Sequence, residues 1–215
     1  MTRPAPNLPD PTESRILAAA RTVFTKKGTS GARMQDIARE AGVNQALLHY
    51  YFRTKAALSE RVFLEAATRL FHAVVPPAQH PDTPLEAMLE AFVTGYIDTV
   101  RQTPFLPGYV LAETHQHPER VLALMTQIAG GSPAEAVPRA IAHLQRMIDA
   151  RVATGELRPI KAEQLLVNLM ALSAFPFVAR PVLSALYGMD DASFDRFLDE
   201  RRVDLPRFLL NAIRA

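Results

Sequence analysis

The chain has 215 residues, 48% of them hydrophobic, and a net charge of only +2. That suits one large or two small domains with a sizeable core and excludes an extended disordered protein. There is no cysteine, so disulfides and thiolate metal sites are excluded and a reducing compartment is expected.

The opening MTRPAPNLPDP has no apolar core of signal-peptide length, and residues 1–9, with three prolines, read as a flexible arm. The longest apolar run, Leu165 to Ala179, contains Asn168, Ser173 and Pro176. It falls short of the roughly 20 residues needed to span a bilayer. A cytoplasmic protein without a membrane partner is the expectation. Asp10-Pro11-Thr12-Glu13 is a helix start: a capping Asp, Pro at the first helical position and an acid in the first turn. Ile16, Ala20, Val23 and Phe24 form the buried stripe, and Lys26, Lys27 and Gly28 supply the basic last turn and the stop.

From Arg33 to Lys55 the chain reads RMQDIAREAGVNQALLHYYFRTK. Met34, Ile37, Ala38 and Ala41 recur at helical spacing. Gly42 can take the positive φ that ends a helix, and Asn44 is a favoured N-cap for the next. Leu47, Leu48, Tyr51 and Phe52 form the apolar face of that second helix, leaving Gln45, Ala46, His49 and Tyr50 outside. Two short helices joined by a tight glycine turn predict a helix-turn-helix, whose second helix fits a DNA major groove. Residues 1–55 carry nine Lys/Arg against four Asp/Glu, whereas the remainder carries fifteen against eighteen. A basic head on a mildly acidic body is expected where only the head meets a polyphosphate.

After Lys55 a long helix is predicted to about Val75, stopped by Pro76-Pro77, with Leu58, Val62, Phe63, Ala66 and Leu70 as its stripe. A linker follows over Ala78–Pro81. Thr83-Pro84-Leu85-Glu86 has the form of a capping box, opening a helix with Met88, Phe92, Val93 and Tyr96 inward. Thr103-Pro104 ends it and leads into a short helix through Phe105, Tyr109 and Leu111. Pro118 starts another to about Ala129, broken by Gly130-Gly131. A capping box at Ser132–Glu135 opens the next, which runs to Thr154 with Gly155 as its stop, and Leu157 to Pro159 reads as a turn. From Lys161 a helix is predicted to about Tyr187, bent at Pro176, with Pro181 a second candidate bend. Asp190 or Asp191 caps the last helix. No stretch alternates with period two. The fold class is all-α, with about nine or ten helices.

The runs Asp36-Ile37-Ala38, Ala41-Gly42-Val43 and Leu48-His49-Tyr50-Tyr51-Phe52, followed by Thr54-Lys55 and Leu58, resemble the DNA-binding domain of TetR-family transcriptional regulators. The likeness extends over roughly residues 10–75. The chain departs from the family at Arg33, where Thr or Ser is frequent, at Asn44-Gln45-Ala46, where Ser-x-Gly is frequent, and at His49, where Tyr is. The resemblance implies a helix-turn-helix DNA-binding domain over 10–55 and a larger helical effector-binding and dimerisation domain over 56–215. It implies a homodimeric regulator, most often a repressor, that binds a palindromic operator in double-stranded DNA and is released by a small-molecule effector.

Candidate DNA-binding residues are Arg33, Asn44, Gln45, Ala46, Leu47, His49, Tyr50 and Lys55. Gln45 matches an adenine edge and Leu47 a thymine methyl, while His49, Tyr50 and Lys55 suit phosphates. Candidate pocket residues are Met88, Phe92, Tyr96, Phe105, Tyr109, His115, Met125 and Phe175, although Met and aromatic residues at helical spacing usually mean plain core. The segment from Leu165 to Leu186 is apolar on more than one side, so it needs packing partners on both. The candidate dimer interface comprises Leu166, Leu169, Met170, Ser173, Phe177, Phe194, Phe197, Leu198, Leu205, Phe208 and Leu209. His115 and His117, two apart, face different sides of a helix and read as surface or pocket-rim residues, with no metal expected. No cofactor is expected either. A P-loop, a nucleophile elbow, a zinc-protease helix motif and a dinucleotide fingerprint are all missing, so an enzyme is not expected. An architectural DNA binder without effector control would leave the acidic body without a task.

Overall fold

The computed structural model describes residues 10–79, 83–129 and 133–215. The expected arm over 1–9, the core of the linker after Gln79 and the Gly130-Gly131 break lie outside them. Within the described residues the chain forms eleven helices, and the backbone pairs in extended form only at the isolated bridge Leu157–Arg214. It divides into two compact units, Met1–Ala66 and Ala67–Ala215.

The first unit holds α1 (Pro11–Gly31), α2 (Met34–Ala41), α3 (Gln45–Tyr51) and the first half of α4 (Lys55–Gln79). Asp10 caps α1 by accepting the Thr12 N–H at 2.7 Å. Gly28, at φ +67°, breaks the regular helix before its last residues, where the sequence puts the stop. Ile16, Ala20, Val23 and Phe24 are buried, and so are Leu58, Val62, Phe63 and Ala66 of α4. That burial carries the unit past Lys55, the expected boundary, to Ala66. Arg21 and Glu65 close α1 onto α4 at 2.7 Å.

The second unit holds the rest of α4, then α5 (Leu85–Gln102), α6 (Leu106–Gln116), α7 (Pro118–Ala129), α8 (Pro133–Ala153), α9 (Ala162–Val178), α10 (Arg180–Tyr187) and α11 (Asp191–Ile213). Its core joins Leu89, Val93 and Ile97 of α5 to Leu144 and Ile148 of α8, Leu165 and Leu169 of α9, and Phe194, Leu198 and Leu209 of α11. Gly155 is left-handed at φ +76°. The stretch expected as a turn after it does more. The Arg158 N–H donates to Ile213 O at 2.8 Å, and the Ala215 N–H to Glu156 O at 3.2 Å, fastening the end of α11 to the α8–α9 connection.

Three local expectations fail. First, α4 passes through Pro76-Pro77 to Gln79. Prolines in a final turn forgo only the bonds back to the carbonyls four residues earlier. One of those carbonyls, Ala73 O, faces Gly95 of α5, where an added Cβ would stand 2.6 Å from it. Second, no capping box forms at Thr83: the helix begins at Leu85 with Pro84 at the cap position and no side-chain cap bond. Third, the stretch expected as one bent helix from Lys161 to Tyr187 is two helices. The first, α9, continues past Pro176 to Val178, and the chain breaks at Ala179, where α9 and α10 meet at 69°. Pro181 occupies the first turn of α10, a position that suits a helix start.

Candidate nucleic-acid interface

The turn between α2 and α3 is built by three adjacent residues. Gly42 sits at φ +62°, ψ +36°, a left-handed conformation costly for residues with a Cβ. Its N–H donates to Arg39 O at 3.2 Å and the Val43 N–H to Ala38 O at 3.0 Å, the paired bonds of a Schellman ending. Asn44 then caps α3, its Oδ1 accepting the Leu47 N–H at 2.7 Å. Leu48 is fully buried and Phe52 nearly so. These two anchor α3, and the opposite face is left open.

That open face carries Gln45, Ala46, His49 and Tyr50, all exposed, Tyr50 at 79%. Leu47 is exposed too, at 37%, so it does not join the apolar side expected of it. Its neighbour Leu48, with Phe52, fills that place. Tyr51, also expected inward, is half-buried. Its hydroxyl donates to Asp10 Oδ2, tying the end of α3 to the start of α1. That bond holds the Asp10 carboxyl below its ordinary range and the Tyr51 hydroxyl above its own. Sequence periodicity has no means of showing such a link. His49 Nδ1 lies 3.3 Å from Arg53 O.

Arg33 is exposed and makes no side-chain cap bond to α2. Asp36, the acid nearest this surface, is occupied by Lys27 and Arg39, each at 2.8 Å. The Lys27 hydrogen bond holds its carboxyl below the ordinary carboxylate value. Lys26, Arg33 and Arg53 are exposed and have no ion-pair partner among the described residues. Arg53 is not among the candidate DNA-binding residues above, although its place just after α3 is a signal for it.

Lys55 departs from expectation. Its Nζ donates to Thr29 O at 3.1 Å and to Ser30 O and Ala32 O at 3.2 Å each. An ammonium has three N–H donors, so all are spent on the turn between α1 and α2. The side chain is half-buried and secures that turn instead of lying free toward a phosphate.

In the second unit the candidate pocket residues separate. Met88 and Tyr96 are buried and Phe92 half-buried. The Tyr96 ring stacks 6.1 Å from Phe92 and lies 6.2 Å from Phe177. Burial pushes the Tyr96 hydroxyl well above its ordinary pKa, so it stays a neutral donor. Phe105 and Tyr109 are half-buried. His115, Met125 and Phe175 are exposed and line no interior with the others, because they fall on the outer faces of α6, α7 and α9. The buried Ser173 hydroxyl finds no hydrogen-bond partner among the described residues. His117 lies 3.6 Å from Glu119.

The candidate dimer residues also divide. Leu169, Ser173, Phe177, Phe194, Leu198, Leu205 and Leu209 are buried within the chain itself, and Leu166 and Phe197 are half-buried against the core. A helix in a monomer core needs its own partners first, and these residues supply that contact. Met170 and Phe208 remain outside. With Val167, Phe175 and Val178 of α9, Val182, Leu186 and Tyr187 of α10 and Val203 of α11, they form the exposed large apolar side chains of this region.

Residues 16–62 match the family model for bacterial regulatory proteins of the tetR family. Over those residues the chain carries a TetR-family DNA-binding domain. YttP of Bacillus subtilis is 39% identical over 54 residues, 25% of this chain and 26% of that one. The HTH-type transcriptional repressor KstR2 of Mycolicibacterium smegmatis is 25% identical over 147 residues, 60% of this chain and 72% of that one. The chain thus spans about a quarter of the length of YttP and nearly three quarters of KstR2. Among solved structures, HlyIIR, a hemolysin II transcriptional regulator, superposes with a TM-score of 0.54 over 95% of this chain and 97% of its own, at 20% identity. At that identity the likeness is one of fold. Among the described residues no single helix is long and apolar enough to cross a membrane.

Proposed function

We propose that this chain is a TetR-family transcriptional regulator, in most settings a repressor, that binds an inverted-repeat operator as a homodimer and leaves it when a small molecule binds the second unit. The observation that carries the reading is the exposed face of α3. Gln45, Ala46, His49 and Tyr50 point outward from a helix anchored by Leu48, beside the unpaired cations Lys26, Arg33 and Arg53. A short helix with small and hydrogen-bonding groups outward suits a major groove, and flanking cations suit phosphates.

Dimerisation rests on the apolar side chains left uncovered on α9, α10 and α11. An apolar area of this kind marks an interaction surface. A two-fold pair would present two copies of α3 to half-sites about one DNA turn apart. The effector reading rests on the aromatic cluster of Phe92 and Tyr96 of α5 with Phe177 of α9, and on the buried Ser173 hydroxyl of α9, which has no hydrogen-bond partner among the described residues. A ligand releases DNA only if it binds one arrangement of the dimer better than the other.

Selection from random duplexes with purified full-length protein tests the reading. The expected product is an inverted repeat bound by two chains. Recovery of no preferred sequence at low salt would overturn it.

A further inference from the structure

Pro176 lies inside α9, and the helix continues past it to Val178. A proline has no N–H to give the carbonyl four residues back, and its ring pushes that carbonyl outward. At Pro176 the abandoned carbonyl is Leu172 O. Arg201 of α11 takes it up with two donors, Nε at 3.2 Å and Nη2 at 2.7 Å. The Arg201 guanidinium lies 6.0 Å from the Phe197 ring centroid. No carboxylate pairs with it among the described residues. Its burial pulls its pKa down, and the planar fork is well shaped to donate twice toward one oxygen. A side chain from another helix thus supplies the donors that the proline withholds.

The line of α9 decides where its outer residues stand. Val167 and Met170 precede Pro176, Phe175 adjoins it and Val178 follows it, all exposed and apolar. A swing of the helix axis at the proline would carry Val178 away from Val167 and Met170. We propose that Arg201 is a positioning residue for the dimer surface: by replacing the missing amide of Pro176 it locks α9 to α11 and holds the apolar face in line for a second copy of this chain. The inference rests on the homodimer reading above.

A double-mutant cycle separates this from a general packing role. Pro176→Ala restores an N–H for Leu172 O, so Arg201 becomes dispensable in that background. Arg201→Met is expected to raise the dimer dissociation constant about tenfold in the native background and to leave it within about twofold in the Pro176→Ala background, measured by sedimentation of the full chain. Thermal unfolding gives a second readout: the drop in Tm from Arg201→Met should shrink by about half or more when Pro176 is replaced. Should Arg201→Met not fold, Arg201→Lys, which keeps the charge but loses the fork, is carried through the same cycle. Equal effects in both backgrounds would overturn the proposal. So would a coupled Tm with an unchanged dimer constant. A chain that is monomeric at every concentration, with Tm coupling intact, would sink the homodimer reading and the proposed consequence while leaving the pairing of Arg201 with Pro176 in place.

Discussion

The ammonium of Lys55 donates to the carbonyl of Ala32 at 3.2 Å, so the first residue of α4 holds the turn that delivers α2. With Thr29 O and Ser30 O it forms a three-carbonyl seat. Hydrogen bonds from a charged donor contribute more than neutral ones, and a half-buried site reduces the gain through solvent screening. Lys55→Met should therefore lower the stability of the first unit by roughly 1–2 kcal/mol. It should weaken binding to all duplexes alike, with no change of preferred sequence. Chemical denaturation beside a panel of operator variants checks both halves.

Leu48 and Tyr50 stand two residues apart on α3 with opposite burdens. Leu48 is 0% exposed and Tyr50 79%. Leu48→Ala should cost about 2–5 kcal/mol, the range for emptying a core leucine site. Tyr50→Ala should change the unfolding free energy by less than about 0.5 kcal/mol yet reduce DNA affinity. Paired denaturation and binding curves make the comparison.

Gln45 and Arg53 should fail differently on DNA. Loss of a bidentate base contact costs about 1–3 kcal/mol of discrimination, so Gln45→Ala should flatten the preference at one operator position. Arg53→Ala should leave the preference alone and reduce the slope of log affinity against log salt by about one per chain. Salt titrations on a matched and a mismatched duplex distinguish the two.

Met170 offers the simplest test of the second surface. It is exposed at the middle of α9, so Met170→Glu places a carboxylate there without entering the core. Stability of the isolated chain should move by less than about 0.5 kcal/mol. The dimer should dissociate, because a buried unpaired charge is strongly unfavourable. Light scattering across a dilution series reads it directly.

Acid should loosen the first unit in a defined direction. Asp36 and Asp10 both have folded-state pKa values below the ordinary 3.8, through the Lys27 and Tyr51 hydrogen bonds respectively. A depressed carboxylate contributes stability that is complete above the unfolded value and is lost as pH falls through the folded one. Unfolding followed from pH 6 to pH 2 should show that loss setting in near 3.8 and continuing below it. Asp36→Asn should make the profile shallower.

Much of the first unit could be read from residue order because its signals are local. Asp10, Gly42 and Asn44 each act within a few residues, and their roles follow from turn and cap chemistry alone. The errors lie where a distant partner decides. Residues 161–187 read as one helix bent at Pro176, since nothing near it announces the break at Ala179 or the partner Arg201, twenty-five residues on. The apolar character of Leu169, Phe177 and Phe194 marks them for burial without saying whether their own chain or another covers them. Lys55 has the composition of a phosphate contact, and only the folded turn reveals three carbonyls waiting for it. The outward turn of Phe175 and Met125 was hidden for the same reason: on helices apolar all round, periodicity does not choose a side.

At Gly95 the backbone of α5 comes against the Ala73 carbonyl of α4. Side chains elsewhere between helices can change rotamer and absorb small displacements. Here no such cushion exists, and the oxygen has lost its usual helical donor to Pro77. Any closer approach of α4 to α5 at this spot therefore meets backbone, with nothing that can turn aside.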